Sequence, residues 1–349
     1  MEMRKDYILN RKVIYAPGRK ARPKEFKPIV AEIKEDKNCF FCPGNEAMTP
    51  NETQRIDEID AKGNKTGRWS VRSFPNKFPV VGPKDEKEKL AKTEKYYSLQ
   101  SVYGHHEVIV ESNDHSKQLF DLTKEEYFNV VRIYKDRSAA LLGQKGVKYV
   151  TLFKNHGSAG GTSIIHTHAQ LVGYNKVPEL VNDEIIAARK TFKPSAKTKK
   201  EKIECAYCEI AAKETVSPRF VYQNNTFTSF CPYASRYNYE VWIFPKKHIK
   251  SISALKEDQL KDLAEIMQLI LGKLKELNCS YDFYFHTSPK SKSDGELHFH
   301  IEICPRIATW AGFELSTDEI INTMLPEDAA NFYKGIEIKG TENTTPPTH

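Results

Sequence analysis

The stretch from Asn155 to Gln170 reads Asn-His-Gly-Ser-Ala-Gly-Gly-Thr-Ser-Ile-Ile-His-Thr-His-Ala-Gln and concentrates groups suited to phosphate chemistry. Gly157, Gly160 and Gly161 carry no side chains, so backbone N–H groups can approach an anion. Ser163 adds a hydroxyl donor. The run closes on His166-Thr167-His168-Ala169-Gln170. In a strand, residues two apart face the same side, so His166, His168 and Gln170 are expected to line one surface directly after the loop. A glycine-rich turn followed only by metal-binding histidines would not call for Gln170. A neutral imidazole here can attack an α-phosphorus and split one hard displacement into two easier ones. Gln170 can donate to a phosphoryl oxygen but, unlike a third histidine, cannot readily act as acid or base toward water, which favours transfer to another phosphate over hydrolysis.

Seven cysteines stand at positions 39, 42, 205, 208, 231, 279 and 304, and four of them form Cys39-Phe-Phe-Cys42 and Cys205-Ala-Tyr-Cys208. In a chain whose first ten residues lack the apolar core of a signal peptide, such pairs read as metal or redox sites before disulfides. Two thiolates at this spacing can share a tetrahedral zinc ion that two histidines complete. The candidates are His115 with His166 for the first pair, and His248 with His298 for the second. The other three cysteines read as small core residues.

These groups recur because the chain is written twice. Glu107-Val-Ile-Val110 is followed by His115 and then by His166-Thr-His168; Glu240-Val-Trp-Ile243 is followed by His248 and then by His298-Phe-His300. The first step is 115 − 107 = 8 and 248 − 240 = 8; the second is 166 − 115 = 51 and 298 − 248 = 50. Val108–Val110 and Val241–Phe244 are expected strands. Thr123-Lys-Glu-Glu126 is a capping box that should open a helix to about Leu142, matched by a second helix from about Lys256 to Leu277. Strands at Lys148–Phe153 and Asp282–Phe285 follow. Each unit is thus strand, helix, strand and a strand with His-x-His, which predicts an α+β fold with a largely antiparallel sheet. The expected organisation is a first repeat over 1–190, a linker over 191–203, a second repeat over 204–338 and a disordered tail over 339–349.

His166-Thr-His168-Ala-Gln170 resembles the His-x-His-x-Gln signature of the histidine-triad superfamily in its nucleotidyltransferase branch, which holds galactose-1-phosphate uridylyltransferase and ADP-glucose phosphorylase. The resemblance spans about residues 10 to 335. It includes Arg19-Lys-Ala-Arg22-Pro23, Cys39-Phe-Phe-Cys42-Pro-Gly-Asn45, Phe74-Pro-Asn76, Asp114-His115-Ser116, His298-Phe-His300-Ile-Glu302 with Pro305-Arg306, and Ala311-Gly-Phe-Glu314. It implies two histidine-triad units fused into one half-barrel sheet flanked by helices. It implies that His168 is the nucleophile and that Cys39, Cys42, His115 and His166 hold a structural zinc. It also implies that Arg19, Arg22, Asn76, Asn155, Gly160, Gly161, Ser163 and Gln170 contact the nucleotide and its phosphates, and that Glu314 lies near the sugar. For the second metal, Cys205, Cys208, His248 and His298 are the expected set. The alternative, as in some uridylyltransferases, is His286, His298 and His300 with a carboxylate such as Glu184. His300 holds the place equivalent to His168, but Lys290-Ser-Lys-Ser-Asp-Gly replaces the glycine-rich loop, so a second nucleophile is not expected there. The chain departs from the uridylyltransferase pattern at Thr167 and Ala169, where relatives carry Pro and Gly, and it lacks a glycine shortly after Glu314. These departures leave the base and the hexose open.

The expected reaction is therefore the UDP-glucose:hexose-1-phosphate uridylyltransferase type, ping-pong through nucleotidyl-His168; the alternative is adenylyl transfer from ADP-glucose to inorganic phosphate. The resemblance further implies a homodimer. A zinc-dependent nucleic-acid-binding module is disfavoured. The net charge of +7 is scattered, and the cysteine-to-histidine distances far exceed those of a zinc finger. No run of eighteen apolar residues suggests a membrane span, and a cytoplasmic location is the default expectation.

Overall fold

A computed structural model describes residues 1–21, 38–60, 62–84, 91–195, 200, 204–291 and 296–336. The strands are β1 (Glu2–Lys5), β2 (Lys12–Tyr15), β3 (Gln54–Ile59), β4 (Lys65–Pro75), β5 (Ala91–Glu94), β6 (Tyr97–Gln100), β7 (Gly104–Val110), β8 (Tyr149–His156) and β9 (His168–Tyr174), followed by β10 (Phe220–Gln223), β11 (Phe227–Phe230), β12 (Val241–Pro245), β13 (Tyr281–His286), β14 (His300–Pro305) and β15 (Glu319–Asn322). The helices named here are α1 (Lys124–Gly143), α2 (Glu179–Thr191), α3 (Ala206–Glu214), α4 (Glu257–Leu277), α5 (Gly312–Thr317) and α6 (Pro326–Tyr333).

Ten strands form one sheet in the order β10-β11-β12-β14-β13-β8-β9-β7-β4-β3. Every neighbouring pair in it is antiparallel. The duplication is visible in this order: β4-β7-β9-β8 and β11-β12-β14-β13 are the same arrangement, joined where β8 pairs with β13. The fold is thus the α+β, largely antiparallel architecture expected from the sequence; β2 and β15 pair in parallel in a separate small sheet with β1.

The helices form where the sequence places caps and apolar stripes. Thr123 accepts from the Glu126 N–H and the Glu126 carboxylate accepts in return from the Thr123 N–H, closing the capping box of α1. Tyr127, Val130, Val131, Tyr134 and Leu141 recur at helical spacing and are buried. In α4, Leu260, Leu263, Met267, Ile270 and Leu274 do the same. Both stripes share one core with Ile109, Leu152, Leu171, Phe283, Ile301 and Ile303 of the sheet. Directly opposed residues in an antiparallel ladder share a face, so Val110, opposite His168, and Val108, opposite Gln170, place these two residues on the face away from α1 and α4.

Two expectations are refined. His166 lies outside the strand, because β9 begins at His168. Most of the expected linker, and the expected tail, lie outside the described residues.

Candidate active site and metal clusters

The two cysteine pairs each meet the histidines proposed for them. Cys42 Sγ lies 3.3 Å from His115 Nδ1, and His166 Nδ1 lies 3.6 Å from both Cys39 Sγ and Cys42 Sγ. In the second repeat, His248 Nδ1 lies 3.4 and 3.7 Å from Cys205 and Cys208, His298 Nδ1 lies 3.7 and 3.4 Å from them, and the two sulfurs are 3.6 Å apart. A zinc tetrahedron with Zn–S near 2.3 Å and Zn–N near 2.0 Å has S···N edges of about 3.6 Å and an S···S edge of about 3.8 Å. Both donor sets match those edges. The far nitrogens of two ligands are also fixed. His166 Nε2–H donates to Ser112 O at 2.8 Å and His298 Nε2–H donates to Pro245 O at 3.0 Å, the outer hydrogen bond that ligating imidazoles ordinarily make. The donor sets therefore fit metal ions.

His298 joins the cysteines, while Glu184, His286 and His300 gather separately with Glu302. Glu184 Oε2 lies 2.9 Å from His286 Nδ1. His300 mirrors His168 in its own hydrogen bond, Nδ1–H to His298 O at 2.9 Å. Yet it is fully buried, stacked on Phe244 at 4.7 Å between ring centres. Its Nε2 is sealed from any phosphate.

His168, also buried, is the counterpart that borders a cavity. Its Nδ1–H donates to His166 O at 2.8 Å, which leaves the Nε2 lone pair unengaged by that bond. Burial, and then the Lys154 charge, push its pKa down to about 4, so the ring is neutral at neutral pH. Phe41 packs edge-on against it at 5.2 Å and is itself buried beside Phe74, so these aromatics serve as core packing around the ring. The loop between β8 and β9 carries Gly157 and Gly161 at φ of 73° and 82°. Only glycine takes such angles without strain. Its Gly160 and Gly161 N–H groups close the turn onto Gly157 O and Ser158 O. Asn155, Ser163 and His168 line one cavity with this loop.

Gln170 is oriented by a residue that sequence reasoning did not assign to the site. His106 is buried; its Nδ1 accepts from the Val80 N–H at 3.2 Å, so its Nε2–H faces Gln170 Oε1 at 2.9 Å. Asn76 stands against the same nitrogen at 3.2 Å and bonds the His106 carbonyl through its own N–H. With its oxygen held, Gln170 turns its amide N–H groups away from His106. Replacing His106 with alanine is expected to lower kcat about tenfold, the value of one positioning hydrogen bond of about 1.4 kcal/mol, with glutamine at 106 restoring part of it in steady-state assays. The sequence signal for His106 is the alternation of β7, which sets it on the same face as Val108 and Val110.

Beneath His168, on the helix side, lies a buried network that sequence reasoning also missed. Lys154 Nζ donates to Glu111 Oε2 at 2.5 Å, to Thr167 Oγ1 at 2.9 Å and to His168 O at 3.0 Å. Thr167 and Tyr134 hydroxyls donate to the same carboxylate. Thr167 is thus a member of the support for its neighbour. Replacing Lys154 with methionine leaves Glu111 charged and buried. The expected loss is about 3–5 kcal/mol of stability, read as a shift in the denaturation midpoint.

Arg19 and Glu314 do not join these strands. Arg19 is exposed in a 3-10 turn after β2, and β2 packs near Tyr233–Ser235 of the second repeat. Glu314 is half-buried and caps α5 by accepting from the Ala311 N–H at 2.9 Å. Arg22 lies outside the described residues. Among the described residues, no helix is long and apolar enough to cross a membrane.

Residues 2–178 match the family model described as galactose-1-phosphate uridyl transferase, N-terminal domain. The chain belongs to this family. Residues 204–306 of this uridyl transferase family member match a second model, described as scavenger mRNA decapping enzyme C-term binding. Among curated relatives, the ADP-glucose phosphorylase of Arabidopsis thaliana is 29% identical over 97% of this chain and 93% of its own length. The galactose-1-phosphate uridylyltransferase of Thermotoga maritima is 27% identical over 78% and 86%. The crystal structure of the Arabidopsis ADP-glucose phosphorylase with bound ADP-glucose superposes with a TM-score of 0.77 at 28% identity, covering 97% of this chain and 99% of that one. A uridylyltransferase structure at 24% identity, with a TM-score of 0.68 over 96% and 98% of the two chains, shares the fold.

Proposed function

We propose that this nucleotidyltransferase takes a nucleoside monophosphate from a nucleotide sugar onto Nε2 of His168 and delivers it to a hexose 1-phosphate, as in UDP-glucose:hexose-1-phosphate uridylyl transfer. The observation that carries this reading is the division of labour between two histidines. His166 turns Nδ1 into the cysteine cluster, while its carbonyl holds Nδ1–H of His168 and leaves the second ring nitrogen unengaged beside the glycine-rich loop. In the first half-reaction, Nε2 bonds to the α-phosphorus as the bond to the bridging oxygen breaks and hexose 1-phosphate leaves; the second half-reaction reverses this with a new acceptor. Asn155, Ser163 and Gln170 are read as donors to the charge that spreads over the phosphoryl oxygens.

Zinc is the metal this reading assigns to both cysteine–histidine clusters; when bound, it supplies a rigid tetrahedral clamp. A homodimer belongs to the same reading.

The similarity to the Arabidopsis phosphorylase favours a second reading, adenylyl transfer from ADP-glucose to inorganic phosphate. Incubation with UDP-glucose or ADP-glucose, each labelled on the α-phosphorus, separates the two. Label that survives denaturation and maps to His168 from one donor selects that donor; label from neither overturns both.

A further inference from the structure

One acidic side chain of the second repeat faces the glycine-rich loop. Asp282 stands in β13, at the seam where that strand pairs with β8, and its partner across the ladder is Asn155. Continuing the β8–β9 register from Phe153 opposite Gln170 sets Asn155 opposite His168. His168, Asn155 and Asp282 therefore form one row across three strands and share a face. Neighbouring strands lie about 4.8 Å apart, so Asp282 is roughly 10 Å from His168, with Asn155 between them.

The carboxyl group reaches the loop. A Cβ built on Gly160 would lie 2.9 Å from Asp282 Oδ1, so this oxygen fills the space that a side chain at 160 would need. Oδ1 is buried and has no hydrogen-bond partner among the described residues. The other oxygen, Oδ2, stands 3.6 Å from Arg306 Nη1. Arg306 is held in turn by Tyr237: its Nη1 donates to the phenol oxygen at 3.1 Å, and its guanidinium lies over the ring at 5.1 Å. The other groups facing Asp282 bring no charge. Asn155 and Gly160 are uncharged, and burial keeps both the Cys304 thiol opposite on β14 and the Tyr284 phenol on β13 neutral. Arg236, beyond them, is committed to Glu240 and Glu302. Burial outweighs the one nearby cation and pushes the Asp282 carboxyl up to about 7.

We propose that Asp282 is a positioning residue for nucleotidyl transfer that works in its protonated form, closing the underside of the glycine-rich turn beside Asn155. Ionised, the same group places a buried negative charge, with no donor on Oδ1, beneath a loop that must receive phosphate. The cost of burying that charge and its repulsion of the phosphate both oppose the productive state. This role rests on the transfer reading, and it gives the second repeat, whose own His300 is sealed, a part in the site of the first.

Metal-loaded protein is mixed with UDP-glucose or ADP-glucose labelled on the α-phosphorus, and the rate at which His168 takes up label is followed from pH 5.5 to 9. Wild type is compared with Asp282→Asn and Asp282→Ala. Asparagine keeps the neutral shape and cannot ionise. Asp282→Asn is expected to label at about the wild-type rate at pH 6 and about tenfold faster than wild type at pH 8, where roughly a tenth of the carboxyl groups remain protonated. Asp282→Ala leaves the underside of the turn empty and should label about tenfold slower than wild type at pH 6. Superposable pH profiles for wild type and Asp282→Asn, or an unimpaired Asp282→Ala, overturn the proposal. Thermal melts give a readout without catalysis. The carboxyl group is neutral in the folded chain and ionised in the unfolded chain above its ordinary value of 3.8, so its contribution to stability is complete below that value and lost as pH rises through about 7. The melting temperature of Asp282→Asn relative to wild type should therefore climb between pH 4 and pH 8, and a constant difference overturns the proposal. A climbing difference with no label at any pH would remove the transfer reading alone; label with a constant difference would remove the role of Asp282 alone.

Discussion

Replacing His168 with asparagine abolishes nucleotidyl transfer and the covalent label, with a loss on the order of 10⁴-fold or more, as expected when the nucleophile of a two-step reaction is removed. The asparagine can keep the bond to His166 O that Nδ1–H makes now, so stability should change little. The matching change at His300 gives the contrast. That ring is fully buried and stacked on Phe244, so its loss should lower stability and leave no gap in the labelled peptide map. Quantitative labelling with nucleotide sugar, read beside thermal melts of both variants, checks the pair. Substantial turnover by the His168 variant would end the covalent mechanism.

Removing the metal is the second large effect. The first cluster ties three separate segments together: Cys39 and Cys42, His115 beyond β7, and His166 just before β9. Metal binding at such sites is coupled to folding, with apparent values of about 10–16 kcal/mol in small zinc peptides. Even a loss on the order of 5 kcal/mol in this larger chain corresponds to a drop of about 10 °C or more in melting temperature. Cys42→Ala is therefore expected to remove one ion, lower the melting temperature by that amount and suppress labelling, because His166 O would no longer hold the His168 ring. Cys205→Ala is expected to remove the other ion and destabilise similarly, yet permit labelling at temperatures where the protein remains folded. Elemental analysis should give two ions per wild-type chain and one in each variant. Unchanged metal content in either variant would refute that cluster.

Much of this was legible before any coordinates. The repeated spacing from Glu107 to His115 to His166, and from Glu240 to His248 to His298, corresponds to equivalent strands β7 and β12 and to equivalent hairpins around β9 and β14. The cysteine pairs found the histidines assigned to them because thiolate and imidazole at matched repeat positions leave few geometric choices. The helices were readable because cap and stripe are local properties.

Other features were hidden in the pairing of distant strands. Nothing near Lys154 in the chain reveals that it turns to the helix side and meets Glu111, 43 residues earlier. His106 looks like its exposed neighbour His105 until β7 is set against β9 and Gln170 comes within 2.9 Å. Which carboxylates joined His286 and His300 was equally undecided: Glu302 entered that cluster once His298 was drawn to the sulfurs.

The amino-acid sequence by itself determined the duplicated α+β plan and the two cysteine–histidine sets, because these depend on residue type and on spacing within one repeat. Tertiary structure alone decided how the halves cooperate. The antiparallel joining of β8 to β13 brings Asn278–Ser280 against the glycine-rich loop, and the fold seals His300 in the core while leaving His168 beside a cavity. Strand register and side-chain burial between segments more than a hundred residues apart set that outcome, and no local pattern encodes them.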